Sequence, residues 1–475
     1  MKNNCKRYML AAALTAVAAT MTAQELNSAY FTQEFKYRHD MNPAFGNDQG
    51  YCAIPILGNL NFKLQGNLGV SDILYKNPNP GGKSTVTFMH PDISYDKAMS
   101  GFKDDIKTVG NLKLTIVSVG FKGFAGYNTI EINNRTMFGL SLPKSFMEFA
   151  KGLDNKDYRF DAIGAKAYSY TEIALGHSHD INEKLRVGAK LKVLLGAGYA
   201  NLDVENMHAN LVGDTWQLEG KANAEVNMKG FAFKHETKEY KSKPGTYQKV
   251  KDIDMDDYSP VGGFGLGADL GAVYKITDDL TVSAAITDLG FISWSETATA
   301  TTPGGKFTFD GFHDLSVKDD NAPAGSTFEE QRDRYSDQLL DFLNLEAHDG
   351  QSGKTRTIAA TASLGAEYRL PMYNKLSAGL LLQRHFNGKN FSWNEVRLSA
   401  NWTPLSWLDG GINLATNSFS TGFGWVLNIH PKAINFFVGM DHLISKVNDD
   451  MIPMSSNANI VLGLNVAWGG SKKKN

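Results

Sequence analysis

Two consecutive runs of alternating polarity constrain the fold of this chain most. In the first, from Gly265 to Ile276, every even position from Leu266 onward is apolar, whereas the odd positions are mostly glycine or charged residues. The second run, from Leu280 to Thr287, restarts the alternation after three polar residues, 277–279. A period of two is typical of β-strands, so the pair predicts a hairpin with a tight polar turn.

The length of these runs and the character of their second face favour a membrane setting. The first run covers about 12 residues, whereas strands of soluble sheets average about 5–6 and a tilted strand needs about 9–11 to cross a bilayer. A soluble sandwich would require large apolar residues on its inner face, but here that face is glycine-rich and polar. The apolar face is therefore predicted to meet lipid.

Alternating segments recur almost to the end of the 475 residues, and no interdomain linker separates them. After the N-terminus no segment offers the ~18 uninterrupted apolar residues of a spanning helix, so a membrane-spanning chain of this kind must be a barrel. The mean hydropathy of −0.29 agrees, because half of each strand and most loops of a barrel face water. We predict an all-β, antiparallel transmembrane β-barrel of roughly 14 strands over residues 51–468, with short helical insertions in its loops.

The N-terminus predicts export. Basic residues at positions 2, 6 and 7 precede an apolar run over 9–19 and then Ala23. This is the pattern of a secretory signal peptide, which we assign to residues 1–23. Export of a chain with the predicted barrel implies a Gram-negative outer membrane as the destination. Only Cys52 would remain after cleavage, which excludes an intramolecular disulfide. The formal net charge of −2 gives no reason to expect a nucleic-acid partner.

The connections between the predicted strands fall into two classes. Short turns near residues 182, 278, 372, 404 and 431 would lie in the periplasm, and long excursions at 205–259, 295–356, 387–392 and 444–456 would lie outside the cell. The excursion 295–356 contains an amphipathic helical pattern around Phe328 to Leu343, and a shorter helix is predicted after Pro143. The alternation loses its phase near Val117, which predicts a β-bulge.

Several short motifs carry a resemblance to known barrels. The chain resembles FadL-like barrels, the long-chain fatty-acid transporters, at Asn42-Pro43-Ala44, at 287–294 and in its terminal aromatic strand ending at Trp468. It is more closely similar to a Bacteroidota group of such outer-membrane barrels with no assigned function, at Tyr37 to Phe45, Pro55 to Asn59 and Phe121 to Phe124.

The FadL-like resemblance implies an N-terminal plug inside the barrel and a path for hydrophobic molecules through a gap in the wall. Residues 24–50 would be this plug, with Asn42, Pro43 and Ala44 at its turn. The chain departs from that family in two places: its long loops are strongly charged, and a tail, 469–475, follows the last aromatic residue and would lie in the periplasm.

Charged residues on the inward-facing positions predict a polar lumen. They could select charged solutes, or they could form a closed interior cross-linked by ion pairs. The predicted lumen lining comprises Glu172, Arg186, Lys190, Lys192, Asp269, Glu367, Arg369, Glu395 and Arg397. Tryptophans near the strand ends predict an aromatic girdle at the membrane interfaces, comprising Trp294, Trp393, Trp402, Trp407, Trp425 and Trp468.

No pattern predicts a metal site, a cofactor or an enzyme. His177 and His179 lie two residues apart on an apolar-facing side, but with no third ligand in the pattern an interfacial position is favoured over a metal site. The aspartates between 252 and 257 lack the glycine and the closing glutamate of a calcium loop. No catalytic constellation is recognisable.

The predicted function is therefore a passive transporter or channel for small molecules, either hydrophobic or polar. The alternative is a non-transporting assembly or secretion partner that binds surface or periplasmic proteins through its long loops. With either function, the barrel is also expected to contact the lipid of the outer membrane.

Overall fold

The computed structural model describes residues 25–79, 85–152, 156–160, 163–213, 215–240, 243–255, 257–313, 327–348, 352–442 and 457–469. The predicted signal peptide and the tail beyond residue 469 lie outside these residues. Every helix in the described part of the chain is too short or too polar to cross a bilayer.

Fourteen antiparallel strands form one closed ring, which confirms the predicted fold. Two of them are built from two pieces each. The strands are β1 (Gly50–Ala53 and Leu60–Gly66), β2 (Asp105–Gly123), β3 (Gly126–Pro143), β4 (Gly164–Asp180), β5 (Leu185–Asn210), β6 (Gly263–Lys275), β7 (Leu280–Trp294), β8 (Thr355–Thr357 and Ala360–Arg369), β9 (Leu376–Phe386), β10 (Trp393–Leu405), β11 (Leu408–Asn417), β12 (Thr421–Ile429), β13 (Ile434–Met440) and β14 (Ala458–Trp468).

The ring closes where β1 pairs with β14, with Gly50 opposite Trp468. All predicted short turns lie at this same end, here called the short-turn end. A further turn at this end, which the sequence pattern did not predict, has two residues between β2 and β3, Phe124 and Ala125, both with positive φ, 53° and 58°. The long excursions leave the ring at the opposite end, the long-loop end.

Side chains alternate between the two faces of the wall as predicted. On β5 the lysines Lys190 and Lys192 are buried inside the ring, whereas Leu191 between them points outward and is 70% exposed. An apolar outer face and a polar inner face are the reverse of a soluble sandwich and suit a barrel surrounded by lipid.

Three local predictions are confirmed. The ladder between β2 and β3 shifts register between Thr115 and Val117, which is the expected bulge. Pro143 precedes the predicted short helix, and the long amphipathic helix begins after Thr327, whose side chain forms a capping box with Glu330. The helices are α1 (Val70–Ile73), α2 (Tyr95–Met99), α3 (Lys144–Lys151), α4 (Phe328–Leu343) and α5 (Gly388–Phe391).

The hydrophilic excursions are more regular than the sequence pattern indicates. The wall strand β5 continues to Asn210, and further strands pair beside it into an outer sheet at the long-loop end. Both faces of this sheet are largely polar, which hides the alternation used to find the wall strands. Its strands are Trp216–Asn227, Ala232–Glu239, Thr246–Asp254, Ala298–Thr301, Lys306–Phe309 and Glu346–His348. Shorter strands are Leu74–Lys76, Thr85–Thr87 and Asp157–Arg159.

Residues 25–49, here called the inner segment, lie inside the ring. They contain two 3-10 turns, Asn27–Ala29 and Arg38–Asp40, and almost all of them are buried. Their aromatic side chains pack against inward-facing wall residues, for example Phe35 against Phe437 at a ring-centroid distance of 4.8 Å. The hydrophobic core therefore lies between the inner segment and the wall.

Candidate functional site

The predicted turn of the inner segment presses directly against the wall. The Asn42 side-chain oxygen accepts a hydrogen bond from the Ala44 N–H (2.9 Å), and its amide donates to the carbonyl oxygens of Ala272 (3.3 Å) and Ala284 (3.2 Å) on β6 and β7. A Cβ atom at Gly188 or Gly271 would overlap Pro43 or Asn42. The small inward-facing residues of these strands are thus what allows the inner segment to approach them.

A cluster of buried charges joins the inner segment to the strands around it. Asp40 contacts the ammonium groups of Lys113 and Lys190, the latter at 2.5 Å. Lys190 also contacts Glu131 at 2.5 Å, and Lys113 contacts Glu25 at 3.0 Å. Burial would raise the pKa of the Asp40 carboxyl, but the nearby Lys113, Lys190 and His39 outweigh burial and hold that pKa well below its ordinary value.

The cluster continues along the inner face of the wall toward β6 and β7. Lys192 contacts Asp269 (2.8 Å) and Asp288 (2.5 Å), and Arg135 contacts Glu172 (2.9 Å) and Asp288 (3.6 Å). All of these side chains lie in the interior, where a charge without a partner would be costly. The ion pairs therefore cross-link the five neighbouring strands from β3 to β7 on the inner face of the ring.

A second anchor holds the start of the inner segment near the long-loop end. The carboxylate of Asp441, directly after β13, accepts hydrogen bonds from the N–H groups of Asn27 (3.2 Å) and Ser28 (2.7 Å). It also pairs with Lys63 at 3.1 Å and lies 3.5 Å from Arg397. The inner segment is thus fixed at both of its ends, since Gly50 continues into β1.

All nine predicted lumen residues point inward. Six of them are buried in the ion pairs described above or, for Glu395, in a 2.7 Å pair with Arg397. The other three, Arg186, Glu367 and Arg369, are half-buried and line a crevice between the inner segment and the wall at the short-turn end. Sequence reasoning missed Lys113, Glu131, Arg135, Asp288 and Asp441, although the inward positions of β2 and β3 follow the same alternation.

The aromatic girdle is only partly as predicted. Trp402 and Trp468 are exposed on the outer face, and Trp425 is half-exposed there. Trp407 is exposed in the turn between β10 and β11. The prediction is wrong for Trp294 and Trp393, which are 3% and 2% exposed and point into the lumen. Trp393 shares its side of β10 with Glu395 and Arg397, and a bulge in β7 turns Trp294 inward.

Potential metal ligands come together at one place in the described residues. His39, Asp40 and Glu131 are close enough to hold an ion. However, the ammonium of Lys190 lies between the two carboxylates, at 2.5 Å from each, so a cation from the protein already fills this place. His177 and His179 lie side by side on the outer face with ring centroids 5.3 Å apart.

The wall has an interruption between β7 and β8. These strands pair from Leu280 to Thr287 and again from Phe291 onward, but the ladder is absent between these stretches, where a single hydrogen bond joins Ile358 N–H to the Gly290 carbonyl (3.1 Å). Asp288 in this stretch has φ of 60°, a conformation uncommon outside glycine. Residues 288–290 and 358–360 form the wall interruption.

Empty space lies on both sides of the wall interruption. Inside, a cavity of about 60 Å³ is bordered by Asp288 and Ala360, with Arg135, Tyr168 and Trp393 among its other walls. Outside, an open recess on the outer face of the wall is lined by Leu289, Phe291 and Ile358, again with Ala360. The same short stretch of wall therefore separates the lumen cavity from the outer surface of the barrel.

The profile of one protein family matches residues 43–441, which is most of the chain. It is described as a family of unknown function (DUF5723). The chain belongs to this family. No curated protein matches the sequence significantly.

Solved structures similar to this chain include transport proteins. The Ralstonia pickettii toluene transporter TbuX matches with a TM-score of 0.39 and 8% identity, covering 96% of this chain and 98% of that chain. A Pseudomonas aeruginosa FadL homologue matches with a TM-score of 0.34 and 10% identity, covering 90% and 91%. The translocator domain of the Neisseria meningitidis autotransporter NalP matches with a TM-score of 0.33 and 9% identity, covering 89% of each chain. Likenesses this distant say nothing about substrate.

Proposed function

We propose that this protein is an outer-membrane channel for small hydrophobic or amphipathic molecules, closed in the described state by its inner segment. The observation that carries the proposal is the wall interruption, with a cavity inside it and an apolar recess outside it. A molecule that reaches the lumen cavity has a short path into the lipid there, whereas the axial path is filled by residues 25–49.

The closed state explains the size of the cavity. A volume of about 60 Å³ holds roughly two water molecules, whereas a cavity of about 150 Å³ is needed for benzene. Transport therefore requires movement of the wall interruption, the inner segment or the loop between β9 and β10, whose Asn387 and Phe391 line the cavity. Because the inner segment is held by ion pairs and hydrogen bonds rather than by covalent bonds, such movement needs no bond cleavage.

A disulfide lock tests this route. In a Cys52→Ala background, Phe291→Cys with Thr357→Cys joins residues that face each other directly beside the wall interruption. The matched control, Ala284→Cys with Leu364→Cys, joins residues in the intact part of the same ladder. Uptake of a fatty acid into liposomes should fall at least tenfold in the oxidised lock, recover on reduction, and stay unchanged in the control.

The proposal fails if the folded, unlocked protein passes no solute, or if the oxidised lock transports as well as the control. Uptake of small sugars but not of fatty acids would instead assign an axial, polar path.

One observation favours a second candidate, a docking protein. The long excursions form the outer sheet and α4, which a simple pore does not require. Co-purification of a stoichiometric surface or periplasmic partner, lost on deletion of residues 228–257, would support it.

A further inference from the structure

A phenylalanine from the long-loop end fills part of the lumen. The loop between β9 and β10 carries α5, and the ring of Phe391 is 5% exposed among Val109, Met137, Tyr168 and Phe419. The ring lies close to Gly139, where an added Cβ atom would come within 2.6 Å of it. The lumen wall therefore contains an apolar place that accepts one six-membered ring.

Next to this ring, the cavity has polar as well as apolar walls. Its remaining walls include Asn111, Thr361 and His385, together with the oppositely charged Arg135 and Asp288, which lie 3.6 Å apart. The formal charges of this pair cancel. A ligand seated here would find hydrogen-bonding groups beside an apolar ring site, without a net charge to balance its own.

The loop that carries Phe391 has few attachments to the rest of the barrel. The Ser392 hydroxyl accepts from the Asn387 N–H (2.9 Å) and donates to the Gly388 carbonyl (2.6 Å), both within the same loop. Outside the loop, the Asn387 side chain accepts a hydrogen bond from the Lys166 ammonium at 3.0 Å and donates one to the Met137 sulfur at 3.8 Å. Gly388 has φ of 72°, so the loop turns at a residue without a Cβ atom. Phe391 can leave its place without unpairing a wall strand.

We infer that this cavity binds neutral, ring-containing solutes with a hydrogen-bonding substituent, of the phenol class, and that the ligand ring takes the place of the Phe391 ring. The inference rests on the proposed channel function, which it narrows to a substrate class. A saturated acyl chain would form no hydrogen bond with the polar walls, and a carboxylate would lie against Asp288 as well as Arg135.

The test compares three probes that differ in one substituent: p-cresol, toluene and p-toluate. Their binding to the detergent-purified full chain is measured by equilibrium dialysis. Phe391→Ala removes the competing ring and should raise the affinity for p-cresol at least tenfold over that of the native protein. In this variant, the affinity for p-cresol should also be at least tenfold higher than that for toluene or p-toluate. Phe423→Ala, on the lipid-facing side of β12, is the matched control and should change nothing. Heat-modifiable migration in gels verifies that each variant is folded.

Equal binding of the three probes, or no change in Phe391→Ala, would overturn the inference. If Phe391→Ala does not fold, Phe391→Leu serves in its place, because it removes the aromatic ring and keeps an apolar side chain at this position. Fatty-acid uptake into liposomes is measured in parallel. Uptake without a preference for p-cresol refutes only the substrate class, whereas selective p-cresol binding without uptake of any solute refutes only the channel.

Discussion

Neutralising Asp40 should release the inner segment. Asp40→Asn leaves the ammonium groups of Lys113 and Lys190 in the interior with one carboxylate fewer, although Lys113 keeps Glu25 and Lys190 keeps Glu131. Removing one partner of a buried ion pair costs roughly 3–5 kcal/mol. Because each lysine retains one partner, we expect the lower end, about 3 kcal/mol, which corresponds to an about 100-fold larger population of the released segment.

Trypsin measures that population. Arg38 is buried in the docked segment and becomes cleavable only after release, so its cleavage rate follows the open population when reclosing is fast. We expect cleavage after Arg38 to be about 100-fold faster in Asp40→Asn, with a parallel rise in channel openings in planar bilayers.

Asp48→Asn is the control within the same segment. Asp48 is exposed and forms a surface pair with Lys122 at 3.4 Å. An exposed pair contributes about 0–1 kcal/mol, so cleavage should change by no more than about 5-fold. Equal cleavage rates in Asp40→Asn and the native protein would refute the assignment of the charge cluster as the main hold on the inner segment.

Three further predictions concern the same interior. Asn42→Ala loses its turn and two wall hydrogen bonds, at a cost of about 1–3 kcal/mol, and should speed trypsin cleavage after Arg38 about tenfold; an unchanged rate contradicts this. The pKa of Asp40 is lowered in the folded protein, so its ion pairs stabilise the docked inner segment fully above the ordinary carboxyl range. This stabilisation is lost only as pH falls through the lowered pKa. Conductance should therefore stay low from pH 8 to 5; opening at pH 5 contradicts this. Brominated lipids should quench less fluorescence in Trp402→Phe than in the native protein but equally well in Trp393→Phe; a reversed order contradicts the inward placement of Trp393.

The sequence pattern predicts the barrel because lipid imposes a strict rule on every wall strand. Outward positions must be apolar and inward positions need not be, so alternation reveals the strands and their number. The same rule predicts that Trp393 points inward, because it has the same odd parity on β10 as Glu395 and Arg397. Position near a strand end was therefore a weaker indicator than parity.

Other features depend on contacts that alternation does not record. In the pairing with β6, β7 has one extra residue between Ile286 and Leu289. Before this bulge the even-numbered side chains of β7 point outward, and after it the odd-numbered ones do. Trp294 therefore points inward. The strands of the outer sheet carry polar residues on both faces and thus no apolar stripe. The partners of Asp40 and Asp441 come from strands far apart in the chain, and only the closed ring brings them together.

Because the partners of the inner segment come from strands at both ends of the chain, the barrel must assemble in a particular order. Asp441 follows the penultimate strand, whereas Lys63 belongs to the first, and β1 meets β14 only at closure. Until the last hairpin has paired, the inner segment has no complete set of counter-ions and hydrogen-bond partners to receive it. The N-terminal residues, synthesised first, are therefore the last to reach their native positions, and chains that lack β14 should remain open sheets with an undocked N-terminus.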